Sequence, residues 1–253
     1  MKHDYIDKYS RLESPVHSIE PRAKALALFA LIVICVSTPP EAWWCFVVYA
    51  GIVFIVATAS RVPASHIISR ALVVFPFILI VALVTPFTKE GMTILELGFL
   101  KVSKEGLITV WNVSVKSLIS IIALILLSST TPFPDLMRAL ERLKVPSFFT
   151  TVASFMYRYV FIIVDEAERM KRARDSRNFR GRWIWQAKTI GQMIASLFIR
   201  SHMRGERVYQ AMCSRGFEGT FPRYHDRKMK SADVVFLTLI TLTAVSARIS
   251  LLW

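Results

Sequence analysis

Two arginine-bearing strings in the middle of the chain combine residue types and spacing that could do chemistry. Glu168-Arg169-Met170-Lys171-Arg172-Ala173-Arg174-Asp175-Ser176-Arg177-Asn178-Phe179-Arg180-Gly181 returns 38 residues later as Glu206-Arg207-Val208-Tyr209-Gln210-Ala211-Met212-Cys213-Ser214-Arg215-Gly216-Phe217-Glu218-Gly219, with seven of fourteen positions identical. Each copy reads as a helix that runs to Ser-Arg and stops at Asn178 or Gly216, residues that tolerate left-handed backbone, with an apolar Phe just beyond. A guanidinium keeps its charge and can grip a carboxylate with two prongs, so an arginine on each helix end offers two matched contacts to another molecule. Lysine would do this poorly. One such arginine alone is explained as a last-turn cation favoured by the helix dipole, worth about 0.3–1 kcal/mol. The same residue at the same junction of two helices points instead to recognition.

Other chemistries find little support. His3, His17, His66, His202 and His225 are scattered, and neither they nor Cys35, Cys45 and Cys213 show the paired spacing of a zinc-type site, so no metal site is expected. There is no Gly-x-x-x-x-Gly-Lys-Ser/Thr string to cradle a phosphate, so no cofactor is expected and ATP hydrolysis would belong to another chain. Ser128, Ser129, Thr130 and Thr131 read as a helix end and cap rather than as nucleophiles. Three cysteines spread over two apolar segments and a basic block imply no disulfide framework.

The elements that must position the arginines are mostly membrane-like. Of 253 residues 54% are hydrophobic and the mean hydropathy is +0.45, yet the net charge is +14, so apolar and basic material must be segregated. Four apolar stretches, Ala23–Ser37, Ala42–Ser60, Ile67–Phe87 and Gly106–Ser129, precede a polar block, and a fifth, Val234–Trp253, follows it. About 20 apolar residues cross the hydrocarbon layer, so stretches two to five qualify while the first is short. A signal peptide would also have a basic flank and a short apolar run, but the Thr38-Pro39-Pro40-Glu41 turn leads straight into the next apolar run, which fits a helical hairpin better. Lys116 within the fourth span should face protein or water and is a candidate partner contact. Pro76 and Pro86 predict a kink in the third.

Residues 130–232 hold 20 Lys+Arg against 9 Asp+Glu, that is +11 of the +14, which places this block in the cytoplasm, with the amino terminus inside and Trp253 outside. The block keeps helical periodicity. A short amphipathic helix is predicted over Pro134–Lys144, a longer one over Ser147–Arg177 and a third over Trp183–Arg215, together forming a platform beneath the membrane. The fold class is thus all-α: residues 1–129 with four spans, a helical cytoplasmic domain over 130–232, and a fifth span over 233–253.

The duplicated Ser-Arg-Asn and Ser-Arg-Gly resemble the paired X-Arg-X signatures, usually Ala-Arg-Gly, of the transmembrane component of energy-coupling-factor transporters, the CbiQ/EcfT family. Ile6-Asp7-Lys8-Tyr9-Ser10, Ser14-Pro15-Val16-His17 and Pro21-Arg22-Ala23-Lys24 resemble the start of its CbiQ branch, which serves cobalt and sometimes nickel uptake. The resemblance implies a non-catalytic subunit. Its partners would be two cytoplasmic ATP-binding cassette ATPases, a substrate-capture membrane subunit like CbiM and a small accessory membrane subunit like CbiN. The docking residues would be Ser176, Arg177 and Asn178, and Ser214, Arg215 and Gly216. Serine for alanine, twice, changes little; asparagine for glycine leaves less room for a close partner surface.

Two rival functions are weighed against this one. Arg169, Arg172, Arg174, Arg177, Arg180 and Arg182, with Trp183 and Trp185 beside them, would suit anionic lipid or nucleic acid, but a membrane-anchored nucleic-acid binder needs no repeat that ends two helices alike. No nucleic-acid partner is expected. An independent secondary transporter would show inverted repeats, interrupted spans and an intramembrane polar site, of which only the prolines and Lys116 offer a trace.

Overall fold

A computed structural model describes residues 9–10, 12, 14–88, 93–97, 100–177, 183–219 and 229–250. Proline punctuates the helix starts. Pro15 opens α1 (Pro15–Ser18) and Pro21 opens α2 (Pro21–Ser37), at positions where the missing N–H goes unused. After the Thr38–Glu41 turn comes α3 (Trp43–Ser60), which Arg61 ends in a left-handed conformation. Pro63 caps α4 (Ala64–Leu72), and α5 (Phe75–Thr88) follows after a two-residue break. The two are bent by 46°. Pro76 explains the bend: it donates no hydrogen bond, and its ring would collide with the carbonyl of Leu72, so α4 stops there. This is the kink expected of the third apolar stretch, and it comes early in it.

The connection between the third and fourth apolar stretches contains a short antiparallel pair, β1 (Thr93–Leu97) and β2 (Leu100–Ser103), with Glu96 opposite Lys101 and Leu97 opposite Leu100. Helices α6 (Lys104–Thr130) and α10 (Ser231–Ile249) complete the apolar set. Between them in the chain lie α7 (Phe133–Arg142), α8 (Ser147–Ser176) and α9 (Trp183–Cys213). The chain divides into two compact units, residues 140–226 and a bundle made of 2–139 with 227–253.

In the bundle α2 packs against α3, α6 and α10, and α6 also packs against α3, α4 and α5. Its core joins Leu28, Leu31 and Cys35 of α2 to Phe46, Tyr49 and Val53 of α3, Ile119 and Leu126 of α6, and Ile240 of α10. Ala27, Ala123 and Ala244 are fully buried. Lipid tails compete well with apolar side chains, so close backbone approach at small residues and buried polar contacts must hold such helices together. The outward faces carry Phe29, Phe54, Phe77 and Leu242, all largely exposed, as a lipid-facing surface requires.

Four described helices are long and apolar enough to cross a membrane: α3, α6, α8 and α10, with the α4–α5 pair a fifth if it forms one bent span. The chain is a multi-pass membrane protein. Helix α2, the short first stretch, has 17 residues and is not among the four. Helix α8, predicted as part of the cytoplasmic platform, is: Arg158 is the only charge between Ser147 and Val164.

Lys116 has a specific partner. Its ammonium donates to the carbonyls of Val36 at 2.9 Å and Thr38 at 2.6 Å and lies 5.9 Å from the centre of the Phe46 ring. It therefore closes the carboxyl end of α2, whose last carbonyls lack helical partners, and this explains how a lysine is tolerated in an apolar span. A surface contact with a partner protein is not needed to account for it.

Candidate coupling site

The unit of residues 140–226 is built on α8 and α9. The turn before α8 uses a left-handed Lys144 (φ 69°), with Val145 N–H donating to Leu140 carbonyl at 3.2 Å, and Pro146 then starts the long helix. The predicted limits of both helices fall within two residues of the observed ones.

At the end of α9 each element of the predicted stop is present. Gly216 has φ 77°, its N–H donates to Cys213 carbonyl at 3.0 Å, and Phe217 N–H reaches back to Met212 carbonyl at 3.1 Å. This is a Schellman closure, with Arg215 as the last residue before the left-handed glycine. Phe217 and Met212 both line the cleft between α8 and α9, as the usual apolar contact of this motif demands. Ser214 Oγ donates to Gln210 carbonyl at 2.9 Å, so the serine is absorbed by its own helix and the Arg215 side chain is left exposed.

At the end of α8, Ser176 Oγ donates to Ala173 carbonyl at 3.0 Å and Arg177 N–H to Arg174 carbonyl at 3.2 Å. Arg177 is exposed as well. Asn178, Arg180 and Arg182 lie outside the described residues, as do the side chains of Trp183 and Trp185, so the closure is described at one copy of the repeat only.

Charge pairing separates the two motif arginines from several neighbours. Arg169 and Arg200 share Glu166, at 3.1 and 2.7 Å; Arg172 meets Glu168 at 3.4 Å; Arg174 meets Asp175 at 2.7 Å. Among the described residues neither Arg177 nor Arg215 forms an ion pair. Both side chains are exposed.

Along the α8–α9 pair runs a cleft of about 780 Å³. Its walls include Val152, Phe155, Tyr159, Ile163, Leu197 and Val208, and Glu166 with Arg200 forms a polar crossing. Exposed apolar side chains continue the surface, with Phe148 69% and Phe198 70% accessible.

The family model described as CbiQ, cobalt transport protein, matches residues 13–225. The chain belongs to this family. It is similar to an uncharacterized protein of Methanocaldococcus jannaschii, with 27% identity over 249 residues that cover 95% of this chain and 85% of that one. It is also similar to the energy-coupling factor transporter transmembrane protein EcfT of Listeria innocua, 27% identical over 253 residues and 95% of both chains. EcfT of Staphylococcus aureus is 27% identical over 258 residues, covering 95% of this chain and 94% of that one. The family is one of transporter membrane components, in keeping with the apolar helices.

Sequence reasoning missed a group of buried polar residues in the bundle. Glu20, Lys24 and Asp233 are 2%, 1% and 5% exposed. Asp233 accepts the backbone N–H of Glu20 at 2.9 Å, and Lys24 donates to the Thr130 carbonyl at 2.9 Å. The available signal was a lysine one turn inside an apolar helix that begins at a proline.

Proposed function

We propose that this chain is the membrane-embedded coupling subunit of an ATP-driven importer of the energy-coupling-factor type, carrying cobalt or nickel ions. Two ATP-binding cassette ATPases would dock on Ser176-Arg177-Asn178 and Ser214-Arg215-Gly216, while a CbiM-like capture subunit, with a CbiN-like accessory, would hold the metal ion. The observation that carries the reading is that α8 and α9 both run out at Ser-Arg with the serine folded back onto its own helix and the arginine exposed and unpaired among the described residues. An arginine fixed to a helix end by backbone hydrogen bonds passes displacement along that helix, whereas one on a loose loop would swing. The apolar walls of the α8–α9 cleft supply a surface that a membrane partner's helix can cover. The relatives named for energy-coupling-factor transport, similar over nearly the whole chain, support the same assignment.

The test is co-purification from detergent-solubilised membranes with the ATPase subunits, comparing the unmodified chain with Arg177→Glu, Arg215→Glu and the double change. Retention by the unmodified chain and release, or hydrolysis without uptake, in the reversed variants is the expected result. If both reversals leave binding and uptake intact, the arginines are helix-end cations only and the coupling role moves elsewhere.

A further inference from the structure

The polar block follows α6 in the chain, its first part through Ala139 still belonging to the bundle, and ends at the start of α10, so the end of α6 and the start of α10 are its roots. Both are fastened to the first turn of α2. The carboxylate of Asp233, third residue of α10, accepts two backbone N–H groups: that of Lys230 at 2.8 Å, the residue capping α10, and that of Glu20 at 2.9 Å, the residue capping α2. One side chain thus satisfies donors at the starts of two helices 213 positions apart. One turn into α2, the Lys24 ammonium donates to the carbonyl of Thr130, the last residue of α6, where a cation meets the negative end of the helix dipole. Glu20 also holds Arg22, Oε1 to Nε 2.9 Å, on the same turn. Ser129, Thr130 and Thr131 are buried beside them.

We propose that Glu20, Lys24 and Asp233 form a clamp that fixes the two roots to one turn of α2, so that motion of the polar block reaches α6 and α10 together instead of being lost in their separation. These are positioning residues, and their role presupposes the coupling function proposed above. Charge-assisted contacts excluded from water suit this task, because opening them strands a buried charge or donor, which keeps the clamp shut under load. A well-packed apolar contact would hold the helices as close but would let them slide.

The experiment uses the whole transporter, this chain with its ATPase and capture subunits, reconstituted in liposomes. ATP hydrolysis and uptake of cobalt(II) and of nickel(II) are measured side by side, with the thermal midpoint of each complex. In Asp233→Asn and Lys24→Met the ATPases stay bound and hydrolysis continues, while ions moved per ATP fall by about two- to thirtyfold, the scale expected of residues that carry coupling without touching ligand. Leu31→Ala opens a cavity under α2 away from the clamp. It should lower the thermal midpoint with ions per ATP unchanged. If the clamp variants keep the ratio, or Leu31→Ala lowers it as much, the residues are ordinary packing and the clamp is refuted. Should Asp233→Asn fail to accumulate, Lys24→Met carries the test, with Lys24→Arg expected to recover the ratio and its failure to do so counting against the clamp. Failure of the unmodified chain to retain any ATPase would refute the coupling function, and this role with it; retained ATPases with an unmoved ratio would refute the clamp alone.

Discussion

Gly216→Ala isolates the backbone contribution to presenting Arg215. At φ 77° an L-residue is strained, yet a methyl added there meets no atom within 4 Å, so no steric overlap complicates the change. The cost is that of left-handed backbone, about 1–2 kcal/mol. Because the helix end is exposed, this penalty falls on the local closure and not on global folding, and it raises the open population relative to the closed by about 5- to 30-fold. Docking that requires the closed end is weakened by the fraction of closed ends lost, so that range is the ceiling on the loss of affinity. Asparagine enters the left-handed region more readily than alanine, and valine least, which sets the order Gly, Asn, Ala, Val. The assay is titration of the purified chain in nanodiscs with the ATPase subunits, alongside thermal midpoints that should barely move. Undiminished binding by Gly216→Ala, or equal weakening by Gly216→Asn and Gly216→Ala, would refute the claim that a left-handed closure presents Arg215. The asparagine result also bears on Asn178, which occupies the equivalent place in the first copy of the repeat.

Lys116→Met removes the donor to the exposed Val36 carbonyl and the part-buried Thr38 carbonyl at the end of α2, and a loss of about 1 kcal/mol, at most about 3, is expected for the acceptors left without a partner; a fall in thermal midpoint in detergent checks it, and an unchanged midpoint counts against the cap. Glu166→Gln weakens contacts to Arg169 and Arg200, but Arg200 is 61% exposed, so solvent screening limits the change to below about 1 kcal/mol. A larger shift in midpoint would show that the crossing of the cleft is less solvated than it looks. His17 gives a pH dependence. Desolvation, aided by nearby Lys24, holds its pKa below the ordinary 6.5 despite hydrogen bonds with the Tyr9 and Ser129 backbone that raise it. In the neutral ring Nε2 carries the proton and donates to the Tyr9 carbonyl at 3.0 Å, because a carbonyl can only accept, which leaves Nδ1 to accept from Ser14 Oγ at 2.7 Å. Below pH 6.5 the unfolded chain takes up the proton first, so stability present above that pH is lost as the pH falls through the folded pKa. His17→Gln should flatten this decline in a pH series of thermal midpoints, and an unaltered slope would exclude His17 as its source.

The helix ends were legible in the sequence because local chemistry fixes them. Pro146 before Ser147 and Gly216 after Arg215 act through their own backbone preferences, whatever surrounds them. The apolar stretches were legible for a similar reason, since length and hydropathy belong to the segment alone. What escaped depends on partners distant in sequence. Nothing beside Lys116 indicates that it will seat on the carbonyls at the end of α2, 80 and 78 positions earlier, and nothing beside Lys24 announces Thr130. The pair Thr93–Leu97 and Leu100–Ser103 escaped because mixed charges and no clean alternation hide a short hairpin. The long apolar half of α8 was visible, but the charged second half of the same helix drew it into the polar block, where its length and hydropathy as a candidate span went uncounted.

Lys24 and Arg215 show why basic residues in this chain demand structural context before function is assigned. Both sit near a helix terminus, and a count of charge treats them alike. Lys24 is 1% exposed and spends a donor inside the protein on the end of α6, so removing its charge should loosen the bundle from within. Arg215 is exposed and without an ion pair among the described residues, so removing its charge should leave the fold alone and change only what another molecule can hold. A positive-inside bias favours many cations in such a chain, but it is indifferent to which are buried and which are offered. That distinction is made by backbone: a lysine one turn into α2 reaches the carbonyl end of α6, whereas an arginine at a Schellman closure, its serine neighbour turned back onto its own helix, is left with its side chain exposed.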